Sequence, residues 1–314
     1  MRAARVHRWN TAPIVDTVAD PTRGDGQSIV RIDAATVSHL DLTVATGSFD
    51  LVPPLPYVPG CEGSGSVLDS DTYPVGTQVI FRDGAVGLDR DGTWQERLAV
   101  ADDSLIVLDQ RLDAAVASTF FVPTTTAYVA VHDLGHVQQG QTVLVSGATG
   151  AVGSMVVQLA RRAGAHVIAL VSRRTRLPAL PPGVEGIALE DTTATGRLAL
   201  TRPGHVLIDT IGGPDVVERI GWVRPGGAAI CVGYTAGAEV RLDLPNWLFT
   251  DVALVPVNLM NCEARALEIA RKLLPQIAAG DIAIAVEEFD LERVATAVDR
   301  VARGAIAGRA VIRF

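Results

Sequence analysis

Three glycines recur at every third position in residues 147–153 (GATGAVG), directly after the apolar run Thr142–Ser146 (TVLVS). Gly150 has no Cβ, so its backbone can come close to a pyrophosphate, and Gly153 lets a following helix pack close against the strand. Residues 154–163 place Met155, Val156, Leu159, Ala160 and Ala163 on one helical face, with Gly164 suited to stop the helix. The start of that helix, at Gly150, Ala151 and Val152, offers free N–H groups and the positive end of the helix dipole to phosphate. Strand, glycine turn and helix in this order predict a dinucleotide site. The spacing is G-x-x-G-x-x-G, and Ala148 stands where the common fingerprint has its first glycine. A tight structural turn is the competing reading.

The next strand, His166–Val171 (HVIALV), runs into Ser172, Arg173, Arg174, Thr175 and Arg176. An NAD-binding unit usually has an acidic residue here to hold the adenosine ribose hydroxyls. A hydroxyl and three guanidiniums suit a 2′-phosphate instead, because arginine binds phosphate bidentately and an acid would repel it. The pattern favours NADP(H) over NAD(H). A solvated basic loop is the competing reading, and which of the three arginines meets the phosphate is open.

Other chemistries lack their residues. A Tyr-x-x-x-Lys pair is absent, since Lys272 is the only lysine and follows Glu268 at that spacing. No Gly-Lys-Ser/Thr phosphate loop and no G-x-S-x-G elbow occur. His132 and His136 are four apart with no acidic ligand motif beside them, and His166 and His205 begin strands. Cys61, Cys231 and Cys262 are too widely spaced for a disulfide framework or a zinc ribbon.

Elements able to position this turn are legible around it. Before Phe121 the chain is β-rich, with short runs at 29–32, 65–68, 77–81 and 96–100 broken by Pro and Gly, notably in 52–60 (VPPLPYVPG). After it, strands alternate with helices. Runs at 205–208, 228–232 and 252–257 continue the series, which implies a parallel sheet covered on both faces. Residues 261–280 are helical in pattern, with Pro275 expected to kink or shorten the helix, and Asp290 is the expected N-cap of a last helix before a terminal strand at 309–314. The expected fold is α/β: a Rossmann-type doubly wound parallel sheet, residues 122–259, inserted between the two parts of a β-rich domain, 1–121 with 260–314. The chain has 314 residues, 27 basic and 35 acidic, with no basic tract for nucleic acid. The N-terminus lacks a signal-peptide core, and no apolar run nears the roughly 18 residues of a membrane span. A cytoplasmic protein is expected.

The chain resembles the zinc-independent quinone oxidoreductases, the zeta-crystallin-like branch of the medium-chain dehydrogenase/reductase superfamily, whose β-rich domain is GroES-like. Six segments carry the resemblance in order: 58–65 (VPGCEGSG), 74–80 followed by 92–96 (GTWQE), 124–128 (TTTAY), 209–213 (DTIGG), 223–227 (VRPGG) and 308–312 (GRAVI). The resemblance implies further cofactor contacts. Thr126 would lie beside the nicotinamide, Ile211 would border the adenine side, and Val232, Gly233 and Tyr234 would meet the nicotinamide ribose and ring. Asn258 would reach the carboxamide. It also implies a homodimer paired through an edge of the nucleotide-domain sheet.

Zinc-dependent relatives bind the catalytic metal at positions that match Ser38, Cys61 and Val122. One cysteine cannot supply three protein ligands, and the four-cysteine structural lobe is missing, so no metal is expected. Thr43 stands near where some quinone reductases carry an aromatic residue. The expected activity is zinc-independent, NADPH-dependent hydride transfer to a quinone or an α,β-unsaturated carbonyl. Ser38, His39, Tyr57 and Thr126 are the candidates to stabilise charge on the substrate oxygen, and loops at 49–57, 84–91 and 236–249 would shape the pocket. Carbonyl/alcohol oxidoreduction in the same fold, and a cofactor-binding structural or regulatory role without turnover, are the alternatives.

Overall fold

The computed structural model describes residues 1–49, 51–81, 86–108, 112–306 and 308–314, apart from the side chain of Glu263. Of the expected pocket loops, residue 50 and residues 84–85 lie outside the described residues. The chain divides into two compact units, Met1–Val122 with Leu274–Phe314, and Pro123–Leu273. The second crossing falls inside the helix Glu263–Ala278, past the position 260 expected from sequence.

In chain order the strands are β1 (Arg2–Arg5), β2 (Ile14–Thr17), β3 (Gln27–Val37), β4 (Gly63–Asp69), β5 (Gln78–Phe81), β6 (Arg97–Ala101) and β7 (Leu105–Val107) in the first unit. Then come β8 (Thr142–Ser146), β9 (His166–Val171), β10 (Glu185–Ala188), β11 (Gly204–Asp209), β12 (Val223–Cys231) and β13 (Ala253–Pro256) in the second. The chain returns to the first unit with β14 (Val286–Asp290) and β15 (Arg309–Arg313).

The first unit is built on a sheet of order β14-β15-β3-β4-β5-β7, with β6 also paired to β3, and a separate β1-β2 ribbon. Its core gathers Val30, Ile32, Phe81, Trp94, Leu98, Phe289 and Ile312. The Trp94 indole is buried and donates to the Thr36 carbonyl at 2.8 Å, which satisfies its one polar atom.

The second unit is a six-stranded sheet of order β10-β9-β8-β11-β12-β13, parallel throughout. This is the doubly wound order, and its strand sequence reverses between β8 and β11. Val143, Leu144, Val145, Leu207 and Ile208 are fully buried, as strands covered on both faces must be. The helix Ala151–Arg162 packs on β8 and β9, and Val216–Ile220 on β11 and β12. Along the chain, a Rossmann-type sheet is therefore inserted between the two parts of a GroES-like β-rich unit, the expected fold class.

Two local expectations change. Asp290 ends β14 and stands at the N-cap position of a 3₁₀ turn, Leu291–Arg293, that leads into the helix Val294–Ala302, but its side chain makes no capping bond. Pro275 stays inside its helix, which ends within one turn of it.

Candidate cofactor and active site

The cofactor candidates collect at the carboxyl ends of the parallel strands. Gly147 has φ +60°, a left-handed conformation, and a Cβ there would stand 2.5 Å from Thr210 Oγ1 and 2.8 Å from Ile211 Cγ2. A Cβ on Gly153 would fall 2.1 Å from the Gly147 carbonyl oxygen, so the helix can start beside the turn only with glycine there. A Cβ on Gly150 would meet one atom, the Gly147 oxygen at 3.1 Å, and otherwise open space. Gly150 is the N-cap of Ala151–Arg162 and no side chain caps it. The first turn, including Ala151 and Val152, keeps N–H groups available for an anion.

The loop after β11 is tied to this turn. Thr210 Oγ1 donates to the Ser146 carbonyl at 2.7 Å, and the Thr210 N–H donates to Ser146 Oγ at 2.9 Å. The next loop joins it: the Val232 N–H donates to the Asp209 carbonyl at 2.9 Å, and a Cβ on Gly212 would lie 2.4 Å from the Gly233 oxygen. The Val257 N–H donates to the Cys231 carbonyl, which brings Asn258 to the same edge. Gly150, Ala151, Val152, Ile211, Val232, Gly233, Tyr234 and Asn258 thus share one side of the sheet, at its topological switch point. Tyr234 is 51% exposed.

Ser172, Arg173, Arg174 and Arg176 follow β9 on that same edge. Arg173 and Arg174 are exposed and Arg176 is half-buried. Thr126 lies in the helix Phe121–Tyr128 and is 7% exposed.

The remaining candidates belong to the first unit. Ser38 caps the short helix His39–Val44 in a capping box with Asp41. The Ser38 N–H and Oγ–H both donate to Asp41 Oδ2 at 2.7 Å, and the Cys61 N–H donates to Asp41 Oδ1 at 3.2 Å. The hydroxyl proton of Ser38 is therefore committed to Asp41. Burial pushes the Asp41 carboxyl above its usual range, opposed by the bonds from Ser38 and Cys61. Tyr57 is 1% exposed with an unpartnered hydroxyl, and burial, together with Asp41 and Cys61, raises its phenol so that it stays neutral. His39 is exposed at its surface; the atoms around it and then Arg309 lower its imidazole, which is neutral near pH 7.

Behind this group, Glu62 Oε1 accepts from the Val122 N–H at 2.8 Å, and the buried Arg309 donates to Thr119 Oγ1 and to Glu62 Oε2. Among the described residues no three His, Cys, Asp or Glu side chains are placed to hold a metal.

Residues 24–110 match the family model described as the alcohol dehydrogenase GroES-like domain. The chain is 30% identical over 222 residues, 68% of its length, to the synaptic vesicle membrane protein VAT-1 homolog of Homo sapiens. That alignment covers 55% of the human protein, so the chain spans about half the length of these first curated relatives. It is 25% identical over 296 residues to the putative quinone oxidoreductase YhfP of Bacillus subtilis, covering 91% of this chain and 90% of YhfP. The fold superposes on the yhdH oxidoreductase from Salmonella enterica, solved in complex with NADP, with a TM-score of 0.84, 22% identity and full coverage of both chains. The chain is thus similar to the quinone-oxidoreductase-like members of the medium-chain dehydrogenase/reductase superfamily.

Several residues that shape this site were not singled out in the sequence. Asp41 had a signal, the S-x-x-D spacing from Ser38 to Asp41. Asp209 and Arg219, which clamp the loop after β11, had none, because their pairing at ten residues' separation depends on the turn and helix between them. No helix among the described residues is long and apolar enough to cross a membrane.

Proposed function

We propose that this chain is an NADPH-dependent oxidoreductase that reduces a quinone or an α,β-unsaturated carbonyl without zinc. The carrying observation is the uncapped helix start at Gly150, seated where the sheet order reverses and followed after β9 by cationic side chains. The residues fit the cofactor: the glycine turn leaves open space for a pyrophosphate, and loops 209–213 and 231–234 are packed backbone to backbone beside it. When bound, the reduced nicotinamide supplies a hydride from C4, and a solvent proton completes reduction to the hydroquinone or saturated carbonyl.

The chain's part is to bind, orient and stabilise charge. The turn and helix dipole hold the pyrophosphate, and Ile211, Val232, Gly233, Tyr234 and Asn258 orient the rest. Of the four groups expected near the substrate oxygen, His39 alone is exposed with a ring that bonds no described residue. Its neutral imidazole can donate one N–H to an oxyanion. Ser38 spends its hydroxyl proton on Asp41, and Tyr57 and Thr126 are buried. These three position rather than touch the substrate.

The donor set argues against a zinc mechanism. At the three positions where zinc-dependent relatives bind metal, Val122 has no donor side chain, Ser38 is bonded to Asp41, and Cys61 is the one cysteine. NADPH and NADH consumption compared across quinones, enones and aldehydes tests the reading. NADPH-selective turnover of a quinone or enone, unaffected by chelator, is expected. Equal rates with both cofactors defeat the arginine argument. One tight zinc per chain with aldehyde turnover favours the dehydrogenase alternative, and no turnover with any acceptor favours the non-catalytic one.

A homodimer in a reducing cytoplasm completes the proposal. No disulfide joins any two of the three cysteines. Edge strand β13 lies next to the helix Leu244–Thr250, on which Leu244, Leu248 and Phe249 are 55%, 64% and 88% exposed. A second copy would cover both.

A further inference from the structure

The arginines that favour a phosphorylated cofactor are not equivalent. The Arg174 side chain donates to Asp191 Oδ2 at 2.9 Å, and its backbone N–H donates to Glu190 Oε1 at 2.9 Å. The neighbouring backbone fixes this arrangement. The Leu189 N–H donates to the Val171 carbonyl at 2.8 Å, so the residues leaving β9 and β10 run side by side. Asp191 is held by a second task, capping the helix Thr192–Thr201 through the Ala194 N–H at 3.0 Å. Arg173 differs. It is exposed, and its guanidinium has no hydrogen bond or ion pair among the described residues.

Two carboxylates therefore stand against the loop where a 2′-phosphate would have to sit. A phosphate monoester carries about −1.5 to −2 charges near pH 7, and uncompensated acids beside it repel it. They are also the kind of group that accepts the hydroxyls of an unphosphorylated adenosine ribose.

Resting on the cofactor reading above, we infer that Arg173 and Arg174, of the three arginines there, divide the work of cofactor selection. Arg173 binds the 2′-phosphate. Arg174 touches no phosphate and instead neutralises the Glu190–Asp191 pair, which otherwise turns the site toward NAD(H). Arg174 is a specificity-determining residue acting through the two acids.

The experiment is titration of the full chain with NADPH and with NADH, following nucleotide fluorescence, in five proteins. These are the parent, R173A, R174A, E190Q/D191N and R174A/E190Q/D191N. Asn keeps the helix cap and Gln keeps an acceptor for the Arg174 N–H, so thermal melting is expected to show all five folded. R174A is expected to weaken NADPH binding about tenfold and to leave NADH binding unchanged or tighter. In R174A/E190Q/D191N, NADPH affinity should return to within about threefold of the parent, because the repelling charges are gone. The R174A defect should shrink at high salt, as an exposed charge effect does. E190Q/D191N alone should bind NADPH as well as the parent or better. R173A should lose NADPH affinity at least as strongly as R174A.

If R174A/E190Q/D191N stays as weak as R174A, Arg174 contacts the phosphate itself and the inference is overturned. It is also overturned if R173A binds NADPH like the parent. A parent that binds neither nucleotide instead overturns the cofactor reading, and the inference falls with it.

Discussion

Asp209 and Arg219 form an ion pair at 2.5 Å with side chains only 1% and 3% exposed. The pair shapes the loop that follows β11. Asp209 Oδ1 accepts from the Gly212 N–H at 2.7 Å and the Ile211 N–H at 3.2 Å, while Arg219 Nη2 donates to the Gly212 carbonyl at 2.7 Å. One carboxylate and one guanidinium thus satisfy the backbone of a loop containing two left-handed glycines, Gly212 at φ +62° and Gly213 at φ +74°. The same loop borders the glycine turn.

Removing one partner of a buried pair leaves the other charge uncompensated. Arg219→Met is therefore expected to lower stability by about 3–5 kcal/mol. Chemical denaturation measures it. Arg219→Lys restores the charge but not the second donor to Gly212, and should fall between the two. An unchanged denaturation midpoint in Arg219→Met would mean that the pair contributes no net stability.

Gly153 and Gly150 separate packing from ligand approach. Gly153→Ala puts a methyl 2.1 Å from the Gly147 oxygen, so the turn and helix must part. A loss of about 1–3 kcal/mol is expected, with nucleotide binding impaired as well. Gly150→Ala meets only the Gly147 oxygen, at 3.1 Å, and should leave the melting temperature nearly unchanged while weakening NADPH binding. Melting and titration on the same samples distinguish the two. Equal behaviour of the variants would count against the turn as the pyrophosphate seat.

The sequence showed strands where apolar runs are flanked by breakers. β8 and β9 match their expected bounds to the residue, each being apolar on both faces. β1 (RAAR) and β10 (EGIA) were missed, because two alanines between arginines, or a short run containing glycine, carry no strand pattern. The glycine turn was legible since its chemistry is local. The partners of its surroundings were not: Arg174 meets Asp191 across 17 residues, and Lys272 meets Tyr128 across 144. Such pairs are set by which strands lie side by side, and a single sequence does not carry that order.

His132 gives the protein a pH dependence of definite sign. Its ring lies 4.4 Å from the Tyr128 ring, and Lys272 Nζ donates to the Tyr128 hydroxyl at 2.8 Å. Burial first, and then the Lys272 charge, hold the imidazole below its ordinary 6.5, with Asp133 opposing. The unfolded chain therefore takes up this proton at higher pH than the folded one. Stability from the neutral ring is complete above 6.5 and is lost as pH falls from there toward the lower folded value. Melting temperature should rise between about pH 5 and 7, and His132→Gln should flatten part of that rise. His39 and His205 are shifted the same way, so the flattening is partial. A steeper rise in the variant would reverse the assignment.

Phe249 is 88% exposed and Leu248 64% exposed on the helix Leu244–Thr250, beside β13 at the open end of the parallel sheet. An unpaired edge strand presents free N–H and C=O groups, and natural proteins cover or charge such edges. No charged side chain lies within β13 (ALVP), and its Ala253 and Pro256 are exposed. A second copy pairing at this edge would continue the sheet through a twofold axis and bury both apolar helices, an isologous arrangement. A stable interface needs roughly 800 Å² from each partner, more than two side chains supply, so strand and helix must be buried together. The parent is expected to run as a dimer in light scattering, and Leu248→Glu with Phe249→Asp as a monomer that still binds NADPH. Dimers that persist in this double variant would place the interface elsewhere.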